Sequence, residues 1–444
     1  MLNKFVQFLK VPELRRRFLM VILLLVATRI IVMLPIPAVD ITEYKAGLAE
    51  EGAVNRALFG NIFGYLNLIS GGALDKLSIG MLGVSPYITA TIILQLLTMI
   101  FPKLKEYYYE NGAIGRAKFQ RLGRYLTVPL ALVQGFAFLK YLSAQGGGII
   151  APMELPALAL NLLFIVAGSL IMIWIGEMIS EQKLGDGVSL IIVAGIVSGL
   201  PRSVIGQVLM MIGRYQSTGS FLGIGIDKIL ILLALALVVV AGVVLVNEGE
   251  RKIPVAYAKR VRGNRVFGGS TTYLPLRVNQ AGVIPIIFAI SILMLPQYLG
   301  LGLRSLDAGW AIKVADFIEA TLANPLWNGL LYFVMVFAFT YFYTFIVFEP
   351  NEIAKNLQRN GGFIQGIRPG ASTAEYLNSI IAKLTLFGAL FLGIIAVLPS
   401  IVQGITKVAN MTIGGTGLLI VVSVALETAK QIDSELKIRE YEIA

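Results

Sequence analysis

Residues 157 to 178 read ALALNLLFIVAGSLIMIWIGEM, an apolar run whose single charged residue, Glu177, lies near its end. A helix of this length extends about 33 Å, enough to cross the hydrocarbon core of a bilayer, which is about 30 Å thick. Similar apolar runs of spanning length lie at 18 to 35, 77 to 101, 125 to 142, 188 to 212, 228 to 247, 279 to 298, 327 to 348, 376 to 398 and 413 to 429. The sequence therefore predicts an all-α polytopic membrane protein with ten transmembrane helices.

The composition agrees with this fold class and excludes several kinds of chemistry. The chain is 57% hydrophobic and 14% charged, with a mean hydropathy of +0.79, so a bilayer must solvate much of its surface. It contains no cysteine and no histidine. Thiol nucleophiles, disulfides, Cys/His metal sites and histidine-based catalytic triads are therefore excluded, and we predict no catalytic residue, no metal and no cofactor.

The distribution of basic residues predicts the orientation of the spans. With the N-terminus inside, 25 of the 37 Lys and Arg residues fall on the inner side, and loops rich in these residues resist translocation. Both termini are therefore predicted to be cytoplasmic, and the run at 18 to 35 to be a retained span. Two long cytoplasmic loops, 248 to 278 and 349 to 375, suggest docking of a partner, although the same basic residues also fit simple positive-inside bias.

One apolar segment, LFGNIFGYLNLISGG at 58 to 72, is too short to span the membrane and ends in two glycines. Irregular backbone at membrane depth persists only against protein or a water-filled cavity, so this segment predicts a re-entrant helix beside a cavity. An amphipathic helix lying on the outer membrane surface is the alternative.

Titratable groups are absent from the middle of the predicted spans. None of the 26 carboxylates lies mid-span, and the cations Arg29 and Lys383 lie near enough to span ends to reach the membrane surface. The pattern favours a passive conduit over two alternatives, a secondary transporter with a coupling carboxylate and a membrane enzyme. Pro86 and Pro285 lie within predicted spans and suggest bent helices.

Ten spans divide into two halves of five with opposite orientation, a topology typical of inverted repeats. We predict an N-terminal half at 1 to 212, a C-terminal half at 213 to 429 and a cytoplasmic tail at 430 to 444.

Nine strings in order resemble the SecY family of protein-conducting channels, and together they cover essentially the whole chain. They are PELRRR (12 to 17), PIP (35 to 37), ISGGAL (69 to 74), PYITATIILQLL (86 to 97), QKLGDGVSLIIVAGIVSGLP (182 to 201), RKIPVAYAKR (251 to 260), STTYLPLRVNQAGVIP (270 to 285), NGGFIQGIRPGASTAEYL (360 to 377) and GGTGLLIVV (414 to 422).

The resemblance implies a channel that passes unfolded secretory chains across the bacterial plasma membrane and releases transmembrane segments sideways into lipid. It assigns a ring of apolar residues to the pore constriction: Val84, Ile88, Val188, Ile192, Ile287 and Ile420. The re-entrant segment becomes a plug with the residues Phe59, Ile62, Phe63, Tyr65, Leu66, Leu68 and Ile69. A lateral gate between spans 2 and 3 and spans 7 and 8 would carry Thr89, Gln134 and Asn279.

The resemblance also implies partners. The long cytoplasmic loops would dock the SecA ATPase and the ribosome through Arg251, Lys252, Lys259, Arg260, Arg265 and Arg368. SecE and SecG would complete a heterotrimer, and signal sequences, nascent chains and the lipid bilayer would be the other contacts. The loop at 102 to 124, KLKEYYYENGAIGRAKF in part, departs from the family pattern, which leaves any SecA contact there open.

Overall fold

The computed structural model describes residues 11–37, 70–101, 103–104, 112–144, 154–199, 226–257, 260–262, 265–267, 271–304, 308–406 and 412–443. The first six helices are α1 (Pro12–Met33), α2 (Ser85–Ile100), α3 (Gly112–Ala144), α4 (Leu155–Glu181), α5 (Gly187–Gly199) and α6 (Ile226–Glu248). The remaining helices are α7 (Ile284–Arg304), α8 (Gly309–Ala323), α9 (Pro325–Val347), α10 (Pro350–Arg359), α11 (Ala371–Thr406) and α12 (Thr412–Ile443). The strands are β1 (Glu250–Tyr257), β2 (Arg260–Arg262), β3 (Arg265–Phe267), β4 (Thr271–Arg277) and β5 (Gly362–Ile364).

The helices confirm a polytopic membrane fold. Each of the ten predicted runs overlaps one of these helices. By length and composition, five described segments can cross a bilayer: Ala117–Lys140, Leu155–Glu181, Ile284–Arg304, Leu326–Arg359 and Ala371–Leu398. Ser85–Thr98, Gly187–Gly199 and Leu237–Glu248 are shorter apolar helices. The number of ten spans stays a prediction.

Two spans begin later than the hydropathy suggested, because irregular backbone replaces their first turns. Residues 78–84 form turns before α2, and residues 278–283 precede α7. Pro86 and Pro285 are each the second residue of a helix, where the missing N–H removes no hydrogen bond. The prediction that these prolines bend helix interiors is therefore wrong. Pro129 in α3 and Pro296 in α7 lie inside helices instead.

The two long loops, 248 to 278 and 349 to 375, contribute strands to one sheet. Strands pair in the order β4-β1-β5, all antiparallel, with Val255 opposite Ile364 and Ile253 opposite Leu274. Beneath them lies a separate apolar cluster that contains Ile253, Val255, Leu276, Phe348, Ile364, Leu377, Ile380 and Ile381. We call this unit, residues 250–257, 271–277 and 350–377, the strand platform.

Ion pairs join both chain ends to the end of the molecule that carries the strand platform. Arg17 at the start of α1 lies 3.7 Å from Glu435 near the end of α12. Lys430 of α12 contacts Glu248, the last residue of α6 before β1, at 2.9 Å. The region predicted as a tail, 430 to 444, therefore continues α12 as a helix up to Ile443. An even number of membrane crossings would likewise put both termini on the same side of the membrane.

Candidate pore, gate and docking surface

The six predicted constriction residues belong to, or pack against, the main apolar core of the helix assembly. Val84 caps the start of α2, Val188 lies in the first turn of α5 and Ile287 in the first turn of α7. Val84, Ile88, Ile192, Ile287 and Ile420 are buried in this cluster, and Val188 packs against it partly buried. In the part of the chain that the structure describes, no charged side chain is fully buried. The centre of the helix assembly is therefore apolar and uncharged.

The plug residues from Phe59 to Ile69 lie outside the described residues, but the end of that segment is visible. Arg29 of α1 donates from Nη1 to the carbonyl oxygen of Gly71 at 3.0 Å and to Oγ of Ser198 at 2.9 Å. The Ser198 hydroxyl in turn donates to the carbonyl oxygen of Gly195 at 2.8 Å. One guanidinium therefore joins α1, the end of the plug segment and α5.

Glycine is required on both sides of this contact. Gly71 has φ of +70°, and a Cβ there would lie 2.5 Å from Nη1 of Arg29 and 2.6 Å from Cα of Gly195. A Cβ on Gly195 would in turn lie 3.0 Å from Cα of Gly71. Just beyond, Ile36 N–H donates to Leu77 and Ile79 N–H donates to Leu34, so the chain returns along the end of α1.

This role of Arg29 differs from the sequence-based expectation that it reaches the membrane surface. A charged group at membrane depth is costly unless it finds hydrogen-bond acceptors. The acceptors in this case are a backbone carbonyl 42 residues away and a serine on another helix. The signal available in the sequence was the pair Gly71 and Gly72, which marks backbone that another chain segment can approach closely.

The helices of the predicted gate are in contact along one seam. Helix α7 packs against α2, α3 and α9, and α2 packs against α3. Phe288 of α7 makes edge-to-face contacts with Phe339 and Tyr343 of α9, with centroid distances of 6.1 Å and 5.8 Å. These aromatic contacts hold α7 and α9 together as one side of the seam, and α2 and α3 form the other.

The three predicted gate residues are buried, but hydrogen bonds do not join them. Thr89 donates to the Ser85 carbonyl of its own helix. Asn279 donates to the Asn247 side chain at 2.9 Å and to the Gly282 carbonyl at 3.0 Å, which ties it to α6. Gln134 of α3 is 2% exposed, and neither of its amide atoms has a partner within the described residues.

A second polar network, which the sequence did not suggest, extends from Asn279 toward the strand platform. Asn247 donates from Nδ2 to Ser423 Oγ of α12 at 3.0 Å and accepts from Lys430 at its backbone carbonyl. The network fixes the irregular segment before α7 to α6 and α12. Asn279 therefore ties the start of α7 to α6.

The predicted docking residues lie on the strand platform or on the β2–β3 hairpin beside it. Arg251 and Lys252 are exposed on β1, and Lys252 lies 3.3 Å from Glu250. Arg260 and Arg265 occupy β2 and β3, while Lys259 lies outside the described residues. Pairing of β1 with β5 brings the loops at 248 to 278 and 349 to 375 into one surface.

Arg368 lies exposed in a tight turn between β5 and α11. The Ile367 N–H donates to the Ile364 carbonyl, and the Thr373 hydroxyl donates to the Arg368 carbonyl at 2.9 Å. Gly366 and Gly370 flank Arg368 with φ of +82° and +105°, values that residues with a Cβ rarely adopt. The turn holds the Arg368 backbone while leaving its guanidinium free to meet a carboxylate or phosphate.

Comparison with known proteins identifies the family. The SecY family model matches residues 78–429. The SecY subunit of the protein translocase of Mycobacterium tuberculosis is 39% identical over 456 residues, covering 100% of this chain and 99% of the relative. Its counterpart in Thermus thermophilus is 40% identical over 447 residues, covering 100% and 97%.

Solved structures agree on the fold. A structure described as a protein-conducting channel superimposes with a TM-score of 0.63 at 20% identity, covering 94% of this chain and 91% of the other. A structure of a SecY protein, reported for its plug domain, gives 0.63 at 20% identity, covering 93% and 90%. With a family model that covers most of its length and relatives that align from end to end, the chain belongs to the SecY family.

Proposed function

We propose that this chain forms the membrane channel through which unfolded secretory polypeptides cross, and that it releases transmembrane segments sideways into lipid. The observation that carries the proposal is an apolar core with no fully buried charged side chain among the described residues, in which five of the six predicted constriction residues are buried and against which Val188 packs. Relatives that align along the whole chain are named translocase subunits, which supports the same function.

An apolar constriction suits a conduit for polypeptides because it seals without binding. Water leaves a narrow apolar pore spontaneously, so ions cannot pass, while a chain of any sequence can displace the ring. Val84, Ile88, Val188, Ile192, Ile287 and Ile420 contribute this ring in our proposal. They offer the passing chain no hydrogen bonds and no charges that would hold it.

The re-entrant segment at 59 to 72 acts as the plug below this ring in our proposal. Arg29 holds its C-terminal end, and Gly71 sets the backbone where the segment turns back toward α2. The visible end of the segment is therefore anchored, and movement of the plug on opening has to start from the part before Gly71.

The seam between α2 with α3 and α7 with α9 serves as the lateral gate. Gln134 is the polar residue that makes this closed seam metastable, because a buried amide without partners costs about 1–3 kcal/mol. A signal sequence that opens the seam gives the amide access to water or to a polar group. Thr89 is buried in α2, on the same side of the seam as Gln134. Asn279 ties the start of α7 to α6.

Replacing Gln134 with leucine is expected to make the gate harder to open. Leucine has a similar volume and removes an amide that has no partner within the described residues, so the closed seam should be stabilised by about 1–3 kcal/mol. Translocation of a precursor with a weakened signal sequence should fall by about tenfold or more in reconstituted vesicles. A precursor with a strongly hydrophobic signal should be affected less, and Thr89→Ala, which removes only a bond within α2, is the matched control. Equal transport of both precursors by Gln134→Leu and the unmodified chain would contradict this role.

The strand platform is the proposed docking surface for the SecA ATPase and the ribosome. Arg251, Lys252 and Arg368 are exposed there, Arg260 and Arg265 belong to the adjacent hairpin, and Lys259 directly precedes Arg260 in the sequence. Phosphate contacts of such residues weaken as salt rises, whereas a fork between Arg368 and a carboxylate adds geometric specificity. SecE and SecG complete the heterotrimer in our proposal, with signal sequences and nascent chains as the passing substrates.

The orientation follows from the same arrangement. We place the strand platform and both termini in the cytoplasm of a bacterium, and the helices in its plasma membrane. The halves at 1 to 212 and 213 to 429 would then surround the pore, with α1 to α5 on one side and α6 onward on the other.

The experiment that tests the function is reconstitution of the chain with SecE and SecG in vesicles, followed by addition of SecA, ATP and an unfolded precursor. We expect the precursor to become protected from external protease, and a precursor crosslinked into a folded state to stay accessible. Uptake of a small solute with no protection of the precursor would favour a secondary transporter and overturn the proposal.

A further inference from the structure

Helix α8 has three distinct faces along its length. Ala311, Ala315 and Leu322 are buried against the protein. Gly300 of α7 is the partner on one side, since a Cβ there would lie 3.8 Å from Ile318 and 4.0 Å from Ala315. The second face is apolar but uncovered: Trp310 is 66% exposed and Phe317 73%, with Val314 between them.

The third face is polar and lies opposite the buried face, next to the exposed apolar stripe. At about 100° per residue, positions 310, 314 and 317 form one stripe, the buried positions lie about 100° to one side of it, and 313, 316 and 320 lie about 90° to its other side. Lys313 is exposed, and Asp316 forms an ion pair with Arg304 at the end of α7, at 2.7 Å. Such a division is typical of helices that lie in a membrane interface rather than in water.

The position of α8 in the chain fixes it at the membrane surface. It connects α7 and α9, which are both long and apolar enough to cross a bilayer. These helices meet α8 at the ends remote from the strand platform, because β4 leads into α7 and α9 leads into α10 and β5. A helix that joins two spans at one end must lie near the headgroup region.

The uncovered stripe is also continuous with apolar surface on the adjoining spans. Leu299 is exposed near the end of α7, and Leu326, Trp327 and Leu330 are exposed at the start of α9. Two indoles, Trp310 and Trp327, therefore lie close to the same membrane boundary, where tryptophan is enriched in membrane proteins.

From these faces we infer that α8 is an interfacial helix whose stripe of Trp310, Val314 and Phe317 inserts into the lipid leaflet on the side opposite the strand platform. The occupant of this face is lipid, at the boundary of headgroups and acyl chains. The ion pair between Arg304 and Asp316 joins the inserted helix to the end of α7. Lipid contact on α8 therefore fixes the position of α7, a helix of the lateral gate, along the membrane normal.

Tryptophan fluorescence tests the inference directly. The chain has three tryptophans, so the double variant Trp174→Phe and Trp327→Phe reports on Trp310 alone. In vesicles of phosphatidylethanolamine and phosphatidylglycerol, lipids brominated high on the acyl chain should quench this emission by about twofold or more, since such helices insert ~5–10 Å. Aqueous acrylamide should quench it weakly.

A tryptophan on another face of α8 is the matched control. Ala320 is exposed on the polar side, so Ala320→Trp in a chain with the three native tryptophans changed to phenylalanine should respond to acrylamide and not to brominated lipid. Quenching of Trp310 by acrylamide and not by bromine would overturn the inference. Protection of Trp310 from both quenchers would also overturn it, because a protein partner or a second copy would then cover the stripe.

Discussion

Replacing Arg29 with methionine is expected to raise the ion conductance of the closed channel by about ten- to hundredfold. A hydrogen bond to a charged group contributes about 1.5–3 kcal/mol, and each ~1.4 kcal/mol is tenfold in an equilibrium constant. The variant loses the bond to Gly71 and leaves that carbonyl unsatisfied in a buried place. The plug end should then leave its position more often. Single-channel recording in planar bilayers measures the change.

Four further variants show whether the effect arises from this contact. Arg29→Lys keeps the charge and can still donate a hydrogen bond, so its conductance should lie between those of the unmodified channel and Arg29→Met. Ser198→Ala should raise the conductance less than Arg29→Met does. Lys383→Met removes an exposed cation from α11 and should change nothing. Deletion of residues 60 to 70 should raise conductance at least as much as Arg29→Met. If only the deletion conducts, Arg29 does not hold the plug; if neither does, the segment is not a plug.

Hydropathy alone located the spanning helices because a bilayer imposes a length and an apolar composition on each of them. The same measure could not place the starts of α2 and α7. Residues 78–84 are nearly as apolar as α2, and residues 278–283 carry two valines beside Asn279 and Gln280, yet both segments are irregular. Pro86 and Pro285 were visible signals, but a proline in an apolar run fits a kink as well as a first turn.

Contacts between distant segments were the part that the sequence did not reveal. The bond between Arg29 and Gly71, and the pairing of β1 with β5, join residues far apart in the chain. Strand character in β1 was readable from the alternation of Ile253 and Val255 with exposed neighbours, although its partners were not. Helix α8 was missed because alanines form its buried face and its apolar run is short.

The constriction residues illustrate a different limit. Isoleucine and valine are common in every membrane helix, so nothing in Ile287 or Ile420 distinguishes a pore residue from a packing residue. Only the family resemblance selected them. The structure adds that five of the six are buried in the main apolar core and that Val188 packs against it, while their place at the pore constriction stays a prediction.

Changing Arg368 to glutamate is expected to abolish translocation driven by the SecA ATPase, with a loss of about 30-fold or more. Truncation of one partner of a buried charge pair in an interface costs about 2–5 kcal/mol, and reversal of the charge adds repulsion. The Arg368 side chain is exposed, so the free energy of unfolding should change by less than about 0.5 kcal/mol. Protease protection of a precursor in reconstituted vesicles measures the loss, and membrane insertion of the channel should be normal.

Two substitutions distinguish a specific contact with two parallel hydrogen bonds from a general effect of positive charge. Arg368→Lys keeps the charge but cannot make two parallel hydrogen bonds, so it should retain only part of the activity if the partner group is a carboxylate held in plane. Arg359→Glu reverses another exposed arginine of the strand platform, at the end of α10, and should reduce transport far less. Equal losses in Arg359→Glu and Arg368→Glu would mean that net charge alone governs docking. Normal transport by Arg368→Glu would remove this turn from the mechanism, because the exposed guanidinium would then have no partner in docking.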